Sequence, residues 1–172
     1  MTKQNVRGRI IKSLGGFYYV ADSEQKGNII ECRARGAFRQ QNVKPCVGDW
    51  AQVELTPQGK GYVVKIEERK NSLVRPPLAN LDQLVLVVSI ADPAPNAFVL
   101  DKLIAIAEYQ EIEPIIVITK CDLADPEEFA QIYRKAGFTV LETKSLQHEG
   151  IESVMEILKD KTSAFCGNSG AG

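Results

Sequence analysis

The strongest constraint on the fold is an unbroken apolar run in the second half of the chain. Residues 84–90 read Leu-Val-Leu-Val-Val-Ser-Ile, which is rich in β-branched side chains and carries no charge. A strand with one face in water alternates apolar and polar residues, so a continuous apolar run predicts a strand that is covered on both faces. Such strands occur mainly in parallel sheets that are flanked by helices.

The rest of this half alternates helix-like and strand-like segments. Helices are predicted at 98–110, 127–136 and 151–158, and further short strands at 115–118, 139–141 and 164–166. This alternation is typical of βαβ units, whose strands run parallel. We therefore expect an α/β fold built on a doubly wound parallel sheet, with ligands at the carboxyl ends of the strands.

The first half predicts a separate small all-β domain. Short strand-like runs separated by turn residues are found at 6–11, 17–20, 28–35, 47–55 and 62–66. Five short strands over this length fit a closed barrel of the oligonucleotide-binding (OB) type. The expected division is a barrel at 1–70, a linker at 71–80 and the α/β domain at 81–172. The linker is expected because Pro76 and Pro77 disfavour both helix and central strand.

Charge divides along the same boundary. Residues 1–75 hold 14 Lys and Arg against 7 Asp and Glu, whereas residues 76–172 hold 7 against 15. A basic barrel favours a polyanionic partner such as RNA. Barrels of this kind bind RNA with aromatic rings for stacking and cations for phosphates. The candidate contacts are Arg33, Arg35, Phe38 and Arg39. A structural or protein-binding barrel is the alternative.

Adjacent tyrosines in the second predicted strand must face opposite sides of the barrel. Because strand residues alternate faces, only one of Tyr18 and Tyr19 can point outward, and the other is expected to fill the core.

The remaining composition predicts no metal site and no membrane segment. The four cysteines are scattered, and His148 is the single histidine, so neither a zinc cluster nor a disulfide framework is indicated. No apolar run approaches the roughly 20 residues of a membrane span, and the polar start offers no signal-peptide core. We expect a cytoplasmic, monomeric protein with no membrane partner.

A guanine-type motif follows the strand at 115–118. Thr119-Lys120-Cys121-Asp122 resembles the [N/T]-K-x-D motif of GTPases, in which the Asp carboxylate accepts hydrogen bonds from guanine N1–H and the exocyclic amine. Adenine offers no such donor pair, and a buried acceptor left unpaired costs about 1–3 kcal/mol. The stem of Lys120 would cover a face of the base, and Thr119 would brace neighbouring loops.

Two further loops complete the predicted nucleotide site. Thr143-Lys144-Ser145 occupies the place of an [ST]-A-x loop whose backbone N–H contacts guanine O6, although Lys144 stands where Ser is usual and Ser145 where Ala is usual. The second loop matches the first six positions of G-x-x-x-x-G-K-[ST], whose backbone N–H groups wrap nucleotide phosphates. Its residues are Gly167, Asn168, Ser169, Gly170, Ala171 and Gly172.

The order of these motifs is reversed relative to ordinary GTPases, in which the phosphate loop comes first. A circular permutation explains the reversal, because new termini can open at a surface loop while the site survives. The whole chain resembles the RsgA (YjeQ/YloQ) family of circularly permuted, small-subunit-dependent GTPases. The matching segments are Phe17-Tyr18-Tyr19-Val20, Arg33-x-Arg35-Gly36-x-Phe38-Arg39, Val47-Gly48-Asp49, Arg75-Pro76-Pro77, Asn80-x-Asp82-Gln83 and Thr119-Lys120-x-Asp122.

The resemblance implies a function in ribosome assembly. It implies a barrel that docks on small-subunit rRNA, a GTPase domain that uses GTP or GDP with Mg²⁺, a zinc-binding domain holding Zn²⁺ beyond these residues, and a role in late maturation of the small ribosomal subunit. The motif's Lys and Ser/Thr would follow Gly172. The 172 residues alone are therefore expected to hydrolyse no GTP, and we assign no catalytic residue to them. The edge of the strand at 164–166 is expected to be exposed.

Two other readings of the sequence stay open. One is an RNA-binding barrel that carries a non-catalytic α/β domain. The other is an ATP-dependent enzyme in which the motif at 119–122 is incidental.

Overall fold

The computed structural model describes residues 5–36, 38 and 44–172, and the chain divides into two compact units, Met1–Asn80 and Leu81–Gly172. The first unit contains a closed barrel of five strands in the order β1-β2-β3-β5-β4. The strands are Asn5–Leu14 (β1), Phe17–Asp22 (β2), Ile29–Ala34 (β3), Trp50–Leu55 (β4) and Gly61–Ile66 (β5). This architecture confirms the predicted OB-like barrel.

The barrel core follows from the alternation of side chains along these strands. Its buried members are Ile10, Tyr18, Val20, Ile30, Cys32, Phe38, Ala51, Val53 and Val63. Tyr18 is buried and Tyr19 is partly exposed, so one tyrosine of the pair fills the core as expected. Gly15 and Gly16 join β1 to β2 with φ of 58° and 82°. Two consecutive positive φ values fit a tight hairpin turn that glycine adopts readily.

The segment predicted as a linker forms a hairpin that belongs to the first unit. Ser72–Leu73 (β6) pairs antiparallel with Leu78–Ala79 (β7). The amide of Ala79 donates to the Val47 carbonyl at 2.9 Å. Residues 71–80, which the sequence predicts as a linker, thus carry a short hairpin and group with the first unit. Pro76 and Pro77 lie between the two strands, where no ladder hydrogen bond is required of them.

A glycine allows this hairpin to approach the barrel closely. A Cβ built on Gly48 would lie 1.9 Å from the Ala79 carbonyl oxygen, and the residue has a φ of 97°. The carbonyl of Gly48 also accepts from Asn80 Nδ2 at 3.0 Å. Only glycine combines this conformation with this space.

The second unit contains a four-stranded sheet in the order β10-β9-β8-β11, and every neighbouring pair is parallel. The strands are Gln83–Ser89 (β8), Glu113–Thr119 (β9), Thr139–Glu142 (β10) and Ser163–Gly167 (β11). The helices are Ala97–Tyr109 (α1), Glu127–Lys135 (α2) and Ile151–Leu158 (α3), with a 3₁₀ turn at Ser145–Gln147. The predicted α/β alternation with a parallel sheet is confirmed.

Helices cover the two central strands. Leu100, Ile104 and Ala107 form the buried face of α1, which lies against β8 and β9. Val85, Ile115 and Val117 form a buried cluster against which Val154, Ile157 and Leu158 of α3 pack. Within the described residues, no helix has the length and apolar character that crossing a membrane would require.

Candidate functional site

The three predicted nucleotide loops lie at one edge of the sheet. Strand β9 ends at Thr119, β10 at Glu142 and β11 at Gly167. Because these strands are parallel, their carboxyl ends point the same way. The loops at 119–122, 143–145 and 167–172 therefore converge on the edge where α/β sheets bind ligands.

Lys120 links two of the loops that leave this edge. The residue has a φ of 60°, and its Nζ donates to the carbonyl of Gly170 at 2.7 Å. Nζ also donates to the carbonyl of Asp92, in the loop after β8. The hydroxyl of Thr119, which is buried, donates to the carbonyl of Ala171. Thr119 and Lys120 thus donate hydrogen bonds to two successive carbonyls of the loop at 167–172.

Asp92 is a site residue that the sequence did not indicate. Its contribution to Lys120 comes from the backbone carbonyl, which every residue type carries. A side-chain pattern therefore offers no signal for this contact.

The loop at 167–172 is shaped by its glycines. A Cβ on Gly167 would lie 2.5 Å from the Val87 carbonyl oxygen, and Gly170 has a φ of 80°. The amide of Ala171 donates to the carbonyl of Asn168 at 3.0 Å, which forms a turn. Glycine at 167 and 170 lets this backbone curve and pack closely, as a loop that presents N–H groups to an anion requires. The Lys and Ser/Thr of the motif, which reach the outer phosphates and Mg²⁺, are not among the 172 residues.

Asp122 presents a carboxylate that is available to a ligand. The side chain is partly buried, and no hydrogen bond from another described residue reaches it. The pKa of Lys144 is raised mainly by its hydrogen bond to Glu149, and the charge of Asp122 adds to this effect. A half-buried carboxylate with free acceptor positions suits a ligand that offers two parallel N–H donors.

The loop after β10 is fastened to the loop after β9 by backbone hydrogen bonds. The amide of Thr143 donates to the Ile118 carbonyl at 2.8 Å, and the amide of Cys121 donates to the Thr143 carbonyl at 3.2 Å. Thr143 is buried. The residues predicted for guanine recognition on these two loops are therefore held in one framework.

The charge of Lys144 is paired with that of Glu149. Its Nζ lies 2.6 Å from Glu149 Oε2, and this hydrogen bond raises the pKa of Lys144. The backbone of the same two residues also pairs, with Lys144 N donating to Glu149 O at 3.0 Å. Ser145 follows at the start of the 3₁₀ turn and is exposed. The side-chain and backbone contacts between Lys144 and Glu149 therefore stabilise the loop between β10 and α3.

The three arginines that are predicted to contact RNA differ in what the structure shows of them. Arg33 is exposed, and its guanidinium lies 4.6 Å from the centroid of the Phe17 ring. Arg35 forms an ion pair with Glu54 at 2.6 Å. Arg39 lies outside the described residues.

Phe38 does not offer a stacking surface. Its side chain is 7 % exposed and belongs to the barrel core. The amide of Phe38 donates to the Arg35 carbonyl at 3.2 Å, so the chain turns back after β3 and carries the ring inward. The prediction that Phe38 contacts RNA is therefore wrong in this structure.

Two of the cysteines in the first unit are buried thiols. Burial raises the pKa of Cys32 to about 12 and that of Cys46 to about 11. Within the part of the chain that the structure describes, no group of three or more His, Cys, Asp and Glu side chains could hold a metal ion.

The chain combines a barrel with a parallel sheet, and in the sheet unit the guanine-type motif precedes the phosphate loop. This combination defines the class of circularly permuted P-loop GTPases that carry an OB-like domain before the GTPase domain. The family profiles agree with this class. The profile of the RsgA N-terminal domain matches residues 7–63, and that of the RsgA GTPase matches residues 66–172. The chain belongs to the RsgA family.

Curated relatives align with nearly the whole of the chain. The small ribosomal subunit biogenesis GTPase RsgA of Caldanaerobacter subterraneus subsp. tengcongensis is 45% identical over an alignment of 172 positions, which covers 98% of this chain and 57% of the relative. The protein of that name from Bacillus subtilis is 40% identical over an alignment of 173 positions, which covers 96% of this chain and 58% of the relative. The chain therefore spans a little over half the length of these relatives.

Solved structures share the fold. YloQ, described as a circularly permuted GTPase, superposes with a TM-score of 0.82 at 38% identity, and YjeQ from Thermotoga maritima with a TM-score of 0.85 at 33%. Each comparison covers 98% of this chain and 62% of the other. These similarities confirm the predicted family and the permuted order of the motifs.

Proposed function

We propose that this chain is the RNA-binding and guanine-recognising part of a GTPase that acts in small-subunit ribosome biogenesis. The observation that carries the proposal is the pair of hydrogen bonds from Thr119 and Lys120 to the carbonyls of Ala171 and Gly170. These contacts join the guanine motif to the phosphate loop although 47 positions separate Lys120 from Gly167. The names of the relatives supply the biological setting.

In this proposal the guanine base is read by the loop after β9. The Asp122 carboxylate accepts from N1–H and the exocyclic amine, and the aliphatic stem of Lys120 lies along the base. A backbone N–H of the loop at 143–145 donates to O6, which adenine lacks. The 3₁₀ turn at Ser145 and the hydrogen bonds of Thr143 support the placement of that loop.

The phosphates are bound by backbone groups of the loop at 167–172. Lys120 donates a hydrogen bond to the Gly170 carbonyl of this loop. We expect this contact to order the N–H groups of the loop before a nucleotide binds, so that less conformational entropy is lost on binding. Mg²⁺, when bound, would neutralise charge on the outer phosphates. The Ser or Thr of the motif, which would hold it, is not among the 172 residues. The Zn²⁺ of the family resemblance is proposed to be held by a further domain.

The barrel is proposed to bind rRNA of the small ribosomal subunit during late maturation. Its support is the basic excess of residues 1–75 and the exposed guanidinium of Arg33. Arg35 and Arg39 are proposed as secondary RNA contacts. The ion pair with Glu54 partly neutralises the charge that Arg35 could offer to a phosphate. The protein is proposed to act in the cytoplasm as a monomer.

A nucleotide titration of the full-length protein tests the guanine assignment. GDP is expected to bind and ADP is not, and Asp122→Ala is expected to remove the preference for guanine. Nucleotide binding with an adenine preference would contradict the proposal in favour of an ATP-dependent enzyme. Absence of all nucleotide binding would favour an RNA-binding barrel with a non-catalytic α/β domain.

A further inference from the structure

Three side chains form a row across the outer surface of the barrel. Phe17 on β2 is directly opposite Arg33 on β3, and Arg33 is directly opposite Tyr62 on β5. Residues that oppose each other in a sheet share one face. Arg33 is exposed, Tyr62 is 42% exposed and Phe17 is partly exposed. With strands about 4.8 Å apart, the two aromatic residues flank Arg33 within about 10 Å of each other.

The central cation of this row differs from its neighbours. Arg35 is paired with Glu54 at 2.6 Å, Lys60 with Glu31 at 2.9 Å, and Arg7 with Glu67 at 2.8 Å. Arg33 forms no ion pair with any residue that the structure describes, and its guanidinium lies over the Phe17 ring. A guanidinium that stacks on a ring keeps its N–H edges directed outward, where a phosphate can accept them.

The row borders an open groove between β3 and the β4–β5 loop. Residues from both sides line it, including Glu31, Arg33, Gln58, Lys60 and Tyr62. In barrels of this type, strands 2 and 3 and the loops β1–β2 and β4–β5 are the surfaces that take oligonucleotides. Phe17 and Arg33 are on those two strands, and Gln58 and Lys60 are in that loop.

We propose that Phe17, Arg33 and Tyr62 form a stacking platform for unpaired nucleotides of RNA. The inference rests on the proposed RNA-binding function of the barrel, and it narrows the ligand from RNA in general to single-stranded RNA. One base stacks on the Tyr62 ring, and another stacks on the Arg33 guanidinium that lies over the Phe17 ring. The N–H edges of Arg33 donate to the phosphate between the two bases. Stacking of this kind tolerates any base, because every base has a π face.

A duplex cannot use this platform. The faces of its bases are already covered by neighbouring base pairs, so a protein reads a duplex mainly through its phosphates and 2′-hydroxyls. The two rings of the row offer only one hydroxyl, that of Tyr62, for such contacts. The row therefore predicts a preference for single strands that a merely basic surface would not give.

Binding of fluorescently labelled RNA to residues 1–172 tests the platform by anisotropy. A ten-nucleotide single strand is expected to bind more tightly than a duplex of the same sequence. Tyr62→Leu and Phe17→Leu are each expected to weaken single-strand binding by about 5- to 150-fold, the range for loss of one stacked base. Tyr62→Phe keeps the ring and is expected to bind like the wild type.

The cation and a matched aromatic control complete the experiment. Arg33→Ala is expected to reduce the slope of log K against log salt concentration by about 0.7, the value for one single-strand phosphate contact. Tyr109→Leu removes an aromatic side chain that is 84% exposed in the second unit, and it is expected to change nothing. Thermal melting of each variant checks folding, and Tyr62→Leu carries the test if Phe17→Leu, which is partly buried, lowers the melting temperature.

The outcomes separate the platform from the broader function. If the wild type binds RNA but single strands and duplexes bind equally well, or the Leu variants bind like the wild type, the platform is overturned and an RNA-binding barrel survives. If the wild type binds neither form of RNA at low salt, the RNA-binding function itself fails.

Discussion

Asp49 is a fully buried carboxylate that depends on one arginine. Arg69 donates to both of its oxygens, at 2.7 and 2.9 Å, and the amide of Cys46 donates to one of them at 2.8 Å. The hydrogen bond to Asp49 raises the pKa of Arg69. A buried charge that has lost its partner lowers the stability of the folded state strongly, whereas the intact ion pair contributes little net free energy to folding.

Removal of the arginine alone is therefore expected to destabilise the first unit. Arg69→Met keeps much of the side-chain volume and leaves Asp49 unpaired, and we expect a loss of about 3–5 kcal/mol in the free energy of unfolding. Urea denaturation measures it. The double variant Arg69→Met with Asp49→Leu is expected to recover part of the loss, and a single variant as stable as the wild type would contradict this role for the pair.

Gly48 carries a second prediction at this scale. Gly48→Ala forces a Cβ to within 1.9 Å of the Ala79 carbonyl oxygen at a φ of 97°, so the hairpin must move away from the barrel. We expect a lower melting temperature, whereas Gly59→Ala, with positive φ but open space around the Cβ, is the matched control with a smaller loss. Equal losses in the two variants would show that the close approach of the hairpin contributes nothing.

The buried thiols also give a testable outcome. Because burial raises the pKa of Cys32 and Cys46 to about 12 and about 11, both are protonated at pH 8 and shielded from reagents. Iodoacetamide at pH 8 is expected to leave both unmodified in the folded chain and to modify both in urea, as read by mass spectrometry. Rapid modification of Cys32 in the folded chain would contradict the burial of this strand.

At the scale of the elements, Lys120 holds three loops together. Its Nζ donates to carbonyls after β8 and in the phosphate loop, while its backbone continues from β9. Lys120→Met keeps the aliphatic stem and removes both hydrogen bonds. We expect faster amide hydrogen exchange at 168–172 in this variant, with exchange in β1 and β2 of the barrel unchanged. Unaltered exchange in the loop would contradict its tethering by Lys120.

The sequence predicted the elements of the second unit better than the details of the first. Residues 84–90 indicate a buried parallel strand, because few other elements accommodate seven consecutive uncharged, mostly β-branched or aliphatic residues. Phe38 could not be placed in the same way, because a ring beyond the end of a strand turns inward or outward according to the path of the loop. The hairpin at 72–79 was missed because its prolines resemble a linker until their position at the turn is known.

The site shows the same division. Thr119, Lys120 and Asp122 belong to a pattern of side chains with a chemical reason for each type, and so they are readable from the sequence. The carbonyl of Asp92 and the ion pair of Lys144 with Glu149 are products of the fold, and no residue pattern predicts them.

For the whole molecule, the central claim is that the second unit recognises guanine through Asp122. The full-length wild type is expected to prefer GDP to ADP. Xanthine carries a carbonyl where guanine has its exocyclic amine, so Asp122→Asn, whose amide can donate, is expected to exchange the preference for GDP for one for XDP. Isothermal titration of the two proteins with GDP, XDP and ADP is the most direct measurement. A variant that still prefers GDP, or a wild type that binds ADP as tightly as GDP, would contradict the account.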